Sequence, residues 1–349
     1  MSRRASGSKK PAGRRVFQVA LVVIPLGILG NIAFSLWKTD TEVLASLSQF
    51  PRQYLFLAAL LALVPWATNT LRLWIWTRLL RQGLSLRQNF QIALGMDLGS
   101  AVSPTGVGGS AAKWGMLVGR GVSPGTAVSI TWVGVLEDAI FFALAVPLAL
   151  YFSSARRELS GTLDIWDSLQ GYAQPTLLAL AGSGFLGLAV VRLGLRGRFG
   201  RRLRYRGLRL TGRLRAKFRV VVRDAKSALR LIAHRGKSRF VLTLGLTGIQ
   251  WICRYSVLSA LLVFLGAPFD PLLYFALQWV VFTMMTFVPT PGASGGAEAA
   301  FYVLYAPLLP ERIIGVTTAG WRLLTFYLQI GLAAAVFLLM QLRQREPSP

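Results

Sequence analysis

Groups that carry most soluble chemistry are scarce in this sequence. A single cysteine, Cys253, excludes an internal disulfide, and a single histidine, His234, excludes a histidine-based metal cluster. Acidic residues number 13 against 39 Lys and Arg, and charged residues make up 15% of the 349, below the roughly 25% usual in soluble domains. What fills the chain is apolar: 54% of it is hydrophobic. Residues 16–37, 54–76, 126–152, 173–191, 240–265 and 313–340 each reach or approach the roughly 20 apolar residues that a membrane-spanning helix needs. Stretches 89–120 and 272–309 are apolar too, but Gly, Pro and polar residues interrupt them. These runs leave no room for a soluble catalytic domain.

The net charge of +26 would suggest nucleic acid on a soluble protein, but its distribution gives another reading. Residues 192–239 hold eighteen Lys and Arg against one acid, Asp224, which marks a cytoplasmic loop by the positive-inside rule. Residues 1–15 form a basic cytoplasmic tail, and 16–37 is a retained first span, too long for the apolar core of a signal peptide. Loops 38–53 and 153–172 have a net charge of zero and minus one, while Arg78, Arg81, Arg87, Arg343 and Arg345 lie on the opposite side. The expected class is an all-α polytopic membrane protein of the cytoplasmic membrane. It has six full spans and two broken hairpins, a single membrane domain over 16–340, and both termini in the cytoplasm, with a tail at 341–349.

The halves of this domain resemble one another. PTGVGGSAA (104–112) is matched by PTPGASGGAEAA (289–300). Arg72 precedes Gly83 by eleven residues, and Arg254 precedes Gly266 by twelve; Gly109 precedes Glu137 by twenty-eight, and Gly296 precedes Arg322 by twenty-six. Residues 54–152 and 240–340 therefore read as one unit used twice, starting on opposite sides of the membrane. Such inverted repeats with broken helices characterise secondary transporters.

Eight ionisable residues fall in these segments: Arg72, Asp97, Lys113, Glu137, Asp138, Arg254, Glu298 and Arg322. Each costs at least about 2.5 kcal/mol at the bilayer centre, so each faces protein or a water-filled cavity, or snorkels to the interface, as Arg72 and Arg254 could. A helix that starts at mid-membrane after Gly108–Gly109 or Gly295–Gly296 aims free N–H groups inward and attracts anions. With Lys113 and Arg322 this would make a site for a phosphate-like head group. Glu298 has three candidate roles: capping that N-terminus, pairing with Arg322, or meeting a cationic part of the ligand. Gly95, Gly99 and Ser103 recur every four residues as a close-packing face. In the basic loop, Leu210, Leu214, Phe218, Val221, Ala225, Leu229 and Ile232 recur at helical spacing among arginines. That pattern reads as an amphipathic helix on the anionic leaflet, a helix packed on the bundle, or a docking site for a cytosolic enzyme.

PTPGASGGAE (289–298) with TAGWRLLTFY (318–327) resembles the signature of the lysylphosphatidylglycerol synthase transmembrane-region family, the flippase-like domains. That pattern maps onto Pro289, Pro291, Gly292, Gly295, Glu298, Trp321 and Arg322; the first hairpin, with Pro104, Gly106, Gly108, Gly109 and Lys113, is similar to the family's Gly-rich element. Two departures stand out: Asp138 follows Glu137 where the family often has Arg, and Ala293 replaces a Gly. The resemblance implies translocation or handling of an anionic phospholipid or polyprenyl-linked lipid, without cofactor or metal. The substrate contacts would be Lys113, Glu137, Asp138, Gly296 and the residues of the second signature. No aminoacyl-transferase domain is expected in the nine residues after Met340. The alternatives are a membrane-embedded enzyme transferring a group to or from a lipid carrier, and a scaffold for envelope-lipid enzymes.

Overall fold

The structure, a computed structural model, describes residues 51–103, 108–153, 219–267, 270–288, 290 and 292–342. Every regular element among them is helical: α1 Arg52–Leu79, α2 Leu86–Val102, α3 Gly108–Gly119, α4 Pro124–Phe152, α5 over 219–235, α6 Lys237–Phe264, α7 Pro271–Met285, α8 Gly296–Tyr305, α9 Glu311–Arg322 and α10 Leu328–Leu342. A π-helical segment, Leu323–Tyr327, joins α9 to α10 without a break.

Four helices are long and apolar enough to cross a membrane: Arg52–Leu79, Pro124–Phe152, Lys237–Phe264 and Glu311–Phe337. They match four of the expected spans; the other two, 16–37 and 173–191, lie outside the described residues. The interrupted stretches fold as paired short helices, α2 with α3 and α7 with α8. Their lengths are 17, 12, 15 and 10 residues. At about 1.5 Å per residue none of the four reaches across a hydrocarbon core roughly 30 Å thick. The order long, short, short, long thus occurs twice, in α1–α4 and in α6–α10.

Local chemistry sets the boundaries. Arg81 and Gly83 take positive φ in the turn after α1, and Ser85 with Gln88 forms a capping box that starts α2. Ser123 caps α4 and Asp270 caps α7, each followed by a proline whose fixed φ suits the first helical turn. The four-residue face foreseen on α2 packs against α3. A Cβ on Gly99 would stand 2.6 Å from that of Ala112, and Ser103 Oγ accepts the Gly108 N–H at 2.8 Å.

Each unit has its own core, one around Leu73, Trp76, Ile92 and Ile130, the other around Leu262, Phe301, Tyr305 and Trp321. α1 and α6 join them, and they run antiparallel. Ala58 and Ala62 meet Val257 and Ala260; further along, Arg72 meets Gln250, and Trp76 shares a carboxylate with Thr243.

Of the basic segment 192–239 only 219–239 is described, and over 219–235 one face packs on the bundle; Leu210, Leu214 and Phe218 lie outside the described residues. Along α5, Ala228 and Ile232 enter the first unit's core, and Ser129 Oγ donates to the Ala225 carbonyl at 3.1 Å. Arg219, Arg223, Lys226, Arg230 and His234, spaced by three and four, stay exposed on the other face. The closest approach is at Gly125, where a Cβ would collide with the Val221 carbonyl and lie 2.8 Å from the Ala225 amide nitrogen. Those are backbone atoms that cannot rotate away, so Gly125→Ala is expected to cost about 1–3 kcal/mol by overpacking. Hydrogen–deuterium exchange would show it as faster exchange across 219–235; unchanged protection there would refute the contact.

Candidate functional site

Between the two units lies a cavity of about 410 Å³. The first unit contributes Arg72 from α1, Asp97 from α2, Gly109 and Lys113 from α3, and Gly134, Glu137 and Asp138 from α4. From the second come Gln250, Trp251 and Arg254 on α6, Phe282 on α7, Gly292 and Ala293 in the break, and Thr325 and Phe326 in the π-helical segment. Six of the eight intramembrane charges line it, three basic and three acidic.

Arg72 organises one wall. Its Nε and Nη2 donate to Glu137 Oε2 at 2.9 and 2.8 Å, Nη1 donates to Gln250 Oε1 at 2.9 Å, and Nη2 reaches Asp138 Oδ1 at 3.2 Å. Glu137 is fully buried; its other oxygen accepts from Trp76 Nε1 at 2.9 Å and Thr243 Oγ1 at 2.6 Å. Of the two readings left open for Arg72, the interior one holds. Where the family pattern often has an arginine beside the glutamate, this chain has Asp138, and the guanidinium that meets both carboxylates comes from α1.

Behind the opposite wall sits the Glu298–Arg322 pair. Glu298 Oε2 accepts the Gly295 N–H at 2.7 Å, capping α8, while Oε1 accepts from Arg322 Nε at 2.9 Å. Arg322, 1% exposed, also donates from Nη2 to the Gly292 carbonyl and lays its guanidinium 4.1 Å over the Phe326 ring. Two of the roles foreseen for Glu298, capping and pairing, are thus filled at once. Gly292 and Gly295 take positive φ, and so does Ala293, at +55°. That is the left-handed region that favours glycine, the residue the family pattern has there, so Ala293 holds strain in the cavity wall.

The candidate residues therefore divide. Lys113, Glu137, Asp138, Gly109 and Gly292 line the cavity. Glu298, Arg322, Gly295 and Gly296 brace its wall, and Trp321 is buried with its Nε1 donating to Gln278 at 3.0 Å. Gly108 opens α3 against Ser103. Pro104, Gly106, Pro289 and Pro291 lie outside the described residues. Asp97, Arg72 and Arg254, among the eight intramembrane charges but not among the expected substrate contacts, join the lining. Asp97 is held by Trp66 Nε1 at 2.7 Å. Arg254 is the residue that the repeat spacing matched to Arg72.

Residues 16–333 match the lysylphosphatidylglycerol synthase transmembrane region. The chain belongs to that family. It is also similar to a UPF0104 membrane protein of Archaeoglobus fulgidus, with 24% identity over 325 residues, covering 87% of this chain and 93% of the relative. Family membership and the four apolar helices make this a helical membrane protein. In this member of the lysylphosphatidylglycerol synthase transmembrane-region family, Glu298 and Arg322 of the second signature brace the cavity wall, while Gly292 and Lys113 line it. Among the described residues no group of acids, histidine and cysteine is arranged to hold a metal ion.

Proposed function

We propose that this protein translocates an anionic phospholipid or lipid-linked precursor across the cytoplasmic membrane, receiving its head group in the central cavity. The observation that carries this reading is a charged cavity walled by both units of a membrane-embedded bundle. A path between leaflets needs a polar chamber that two bodies can open in turn. The antiparallel course of α1 and α6 supports an inverted repeat, and the short helices on either side of each break support re-entrant hairpins. Irregular backbone at membrane depth is stable only where protein or a cavity covers it. The basic face of α5 would lie toward the anionic leaflet, adding about 1 kcal/mol of attraction per Lys or Arg near the surface.

A membrane-embedded transferase would need a carboxylate free to act as base or nucleophile. Of the three acids that could serve, Glu137 and Glu298 accept hydrogen bonds on both oxygens. Asp138, on the cavity and 34% exposed, is the carboxylate such an enzyme would use.

Leaflet exchange of labelled phosphatidylglycerol in proteoliposomes tests the reading, with wild type compared to Gly134→Leu. A Cβ at Gly134 meets only Lys113 Nζ at 3.5 Å and Arg72 Nη2 at 3.8 Å, so a larger side chain enters the cavity without striking backbone. Exchange by wild type that falls to the protein-free rate in the variant is the expected result. Equal exchange by both would remove the cavity from the path. No exchange of any lipid by folded wild type would overturn transport.

A further inference from the structure

Ion pairing in the bundle is uneven, and the unevenness falls on the cavity. Arg72 has two carboxylates and Arg322 has one, but among the described residues Lys113 and Arg254 form no ion pair and no hydrogen bond. Arg254 Nε is buried without an acceptor. Its guanidinium is centred 5.2 Å over the Phe282 ring and 5.9 Å over Trp251. Neither contact is a hydrogen bond, so the guanidinium's planar set of N–H donors still lacks an acceptor among the described residues.

The two units pair their charges differently, and in each of them one cation forms no ion pair. In the first, the acid is on the fourth helix, where Glu137 takes Arg72. In the second, the corresponding region of the last helix carries Arg322, whose acid is Glu298 at the hairpin. Arg254, the counterpart of Arg72, forms no ion pair, since Asp97, the acid that faces it across the cavity, is held by Trp66 instead; Lys113, five residues after the start of α3, has no equivalent of Glu298 beside it. A buried donor without an acceptor is costly, and an unpaired intramembrane cation more so, unless a ligand supplies what is missing.

We infer that Lys113 and Arg254 form a clamp for a phosphate ester, one cation from each unit closing on the same phosphate. The inference rests on the cavity receiving a head group. Arg254 offers a planar set of donors to the phosphate oxygens, and Lys113 acts as a point charge from the opposite wall. The Arg72–Glu137–Asp138 cluster stays paired and frames the chamber.

Retention of lipid by the purified full chain in neutral detergent, read by mass spectrometry, tests this. The probes are phosphatidylglycerol and diacylglycerol, which lacks the phosphate. Wild type should retain phosphatidylglycerol selectively. Lys113→Gln and Arg254→Gln should each weaken retention by about tenfold, the loss of a hydrogen bond to a charged group, and the double variant should lose the preference. Lys113→Arg and Arg254→Lys, which keep the charge, should largely restore it, separating lost recognition from lost folding. Displacement by soluble glycerol 3-phosphate would show that the phosphate ester alone is recognised; no displacement would show that the lipid is required. Equal retention by wild type and a folded double variant overturns the clamp. Loss of retention in that variant, with no leaflet exchange by wild type, would keep the clamp and overturn transport.

Discussion

Glu137→Ala should destabilise the protein by about 3–5 kcal/mol, the cost of leaving a buried charge without its partner. Arg72 is 6% exposed and its two shortest contacts go to Glu137, so the deletion leaves a guanidinium sealed between α1, α4 and α6. Trp76 and Thr243 would lose the same acceptor, and with it the polar link between the ends of α1 and α6. Asp138→Asn is the comparison. Asp138 is the more distant partner of Arg72, and its side chain is 34% exposed, so its loss should cost less than half as much. Unfolding of both variants in mixed detergent measures the difference. Equal losses would mean that the two acids share Arg72 evenly and that Glu137 is not the keystone of the first unit.

The second large effect is expected at the Glu298–Arg322 pair. Either Glu298→Ala or Arg322→Met breaks a buried ion pair, and the alanine variant should again cost about 3–5 kcal/mol. The two are in direct contact, so the double variant should lose less than the sum of the single losses, by about 0.5–3 kcal/mol of coupling. Arg322 also holds the Gly292 carbonyl at the cavity wall. Its loss should therefore slow leaflet exchange at temperatures where the bundle is still folded, and raise hydrogen exchange at 292–298. Additive single effects would show that the two side chains brace the wall independently.

The long helices were legible because twenty apolar residues with few charges admit hardly any other fold, and the breaks because Gly and Pro interrupt them at matched spacing. Glu298 with Arg322 was legible as one of three candidate roles for the acid, since the motif places the two in adjoining elements. The cavity's membership was harder. Arg72 meets Glu137 across 65 residues and Gln250 across 178, and those meetings depend on how the helices rotate against each other. Local spacing does not encode rotation. Lys113 and Arg322 read as one anion site because both are basic and follow or adjoin a Gly-rich break. The fold instead turns Arg322 behind Gly292 and brings Arg254 to the chamber.

The acid sits on the fourth helix of the first unit and on the hairpin of the second, so the halves are no longer interchangeable. Two copies of the first unit, joined head to tail, would each satisfy their own arginine with their own glutamate. The chamber between them would then have no guanidinium left to offer. Divergence between the halves, rather than duplication, is what leaves this interior a guanidinium that no acid binds.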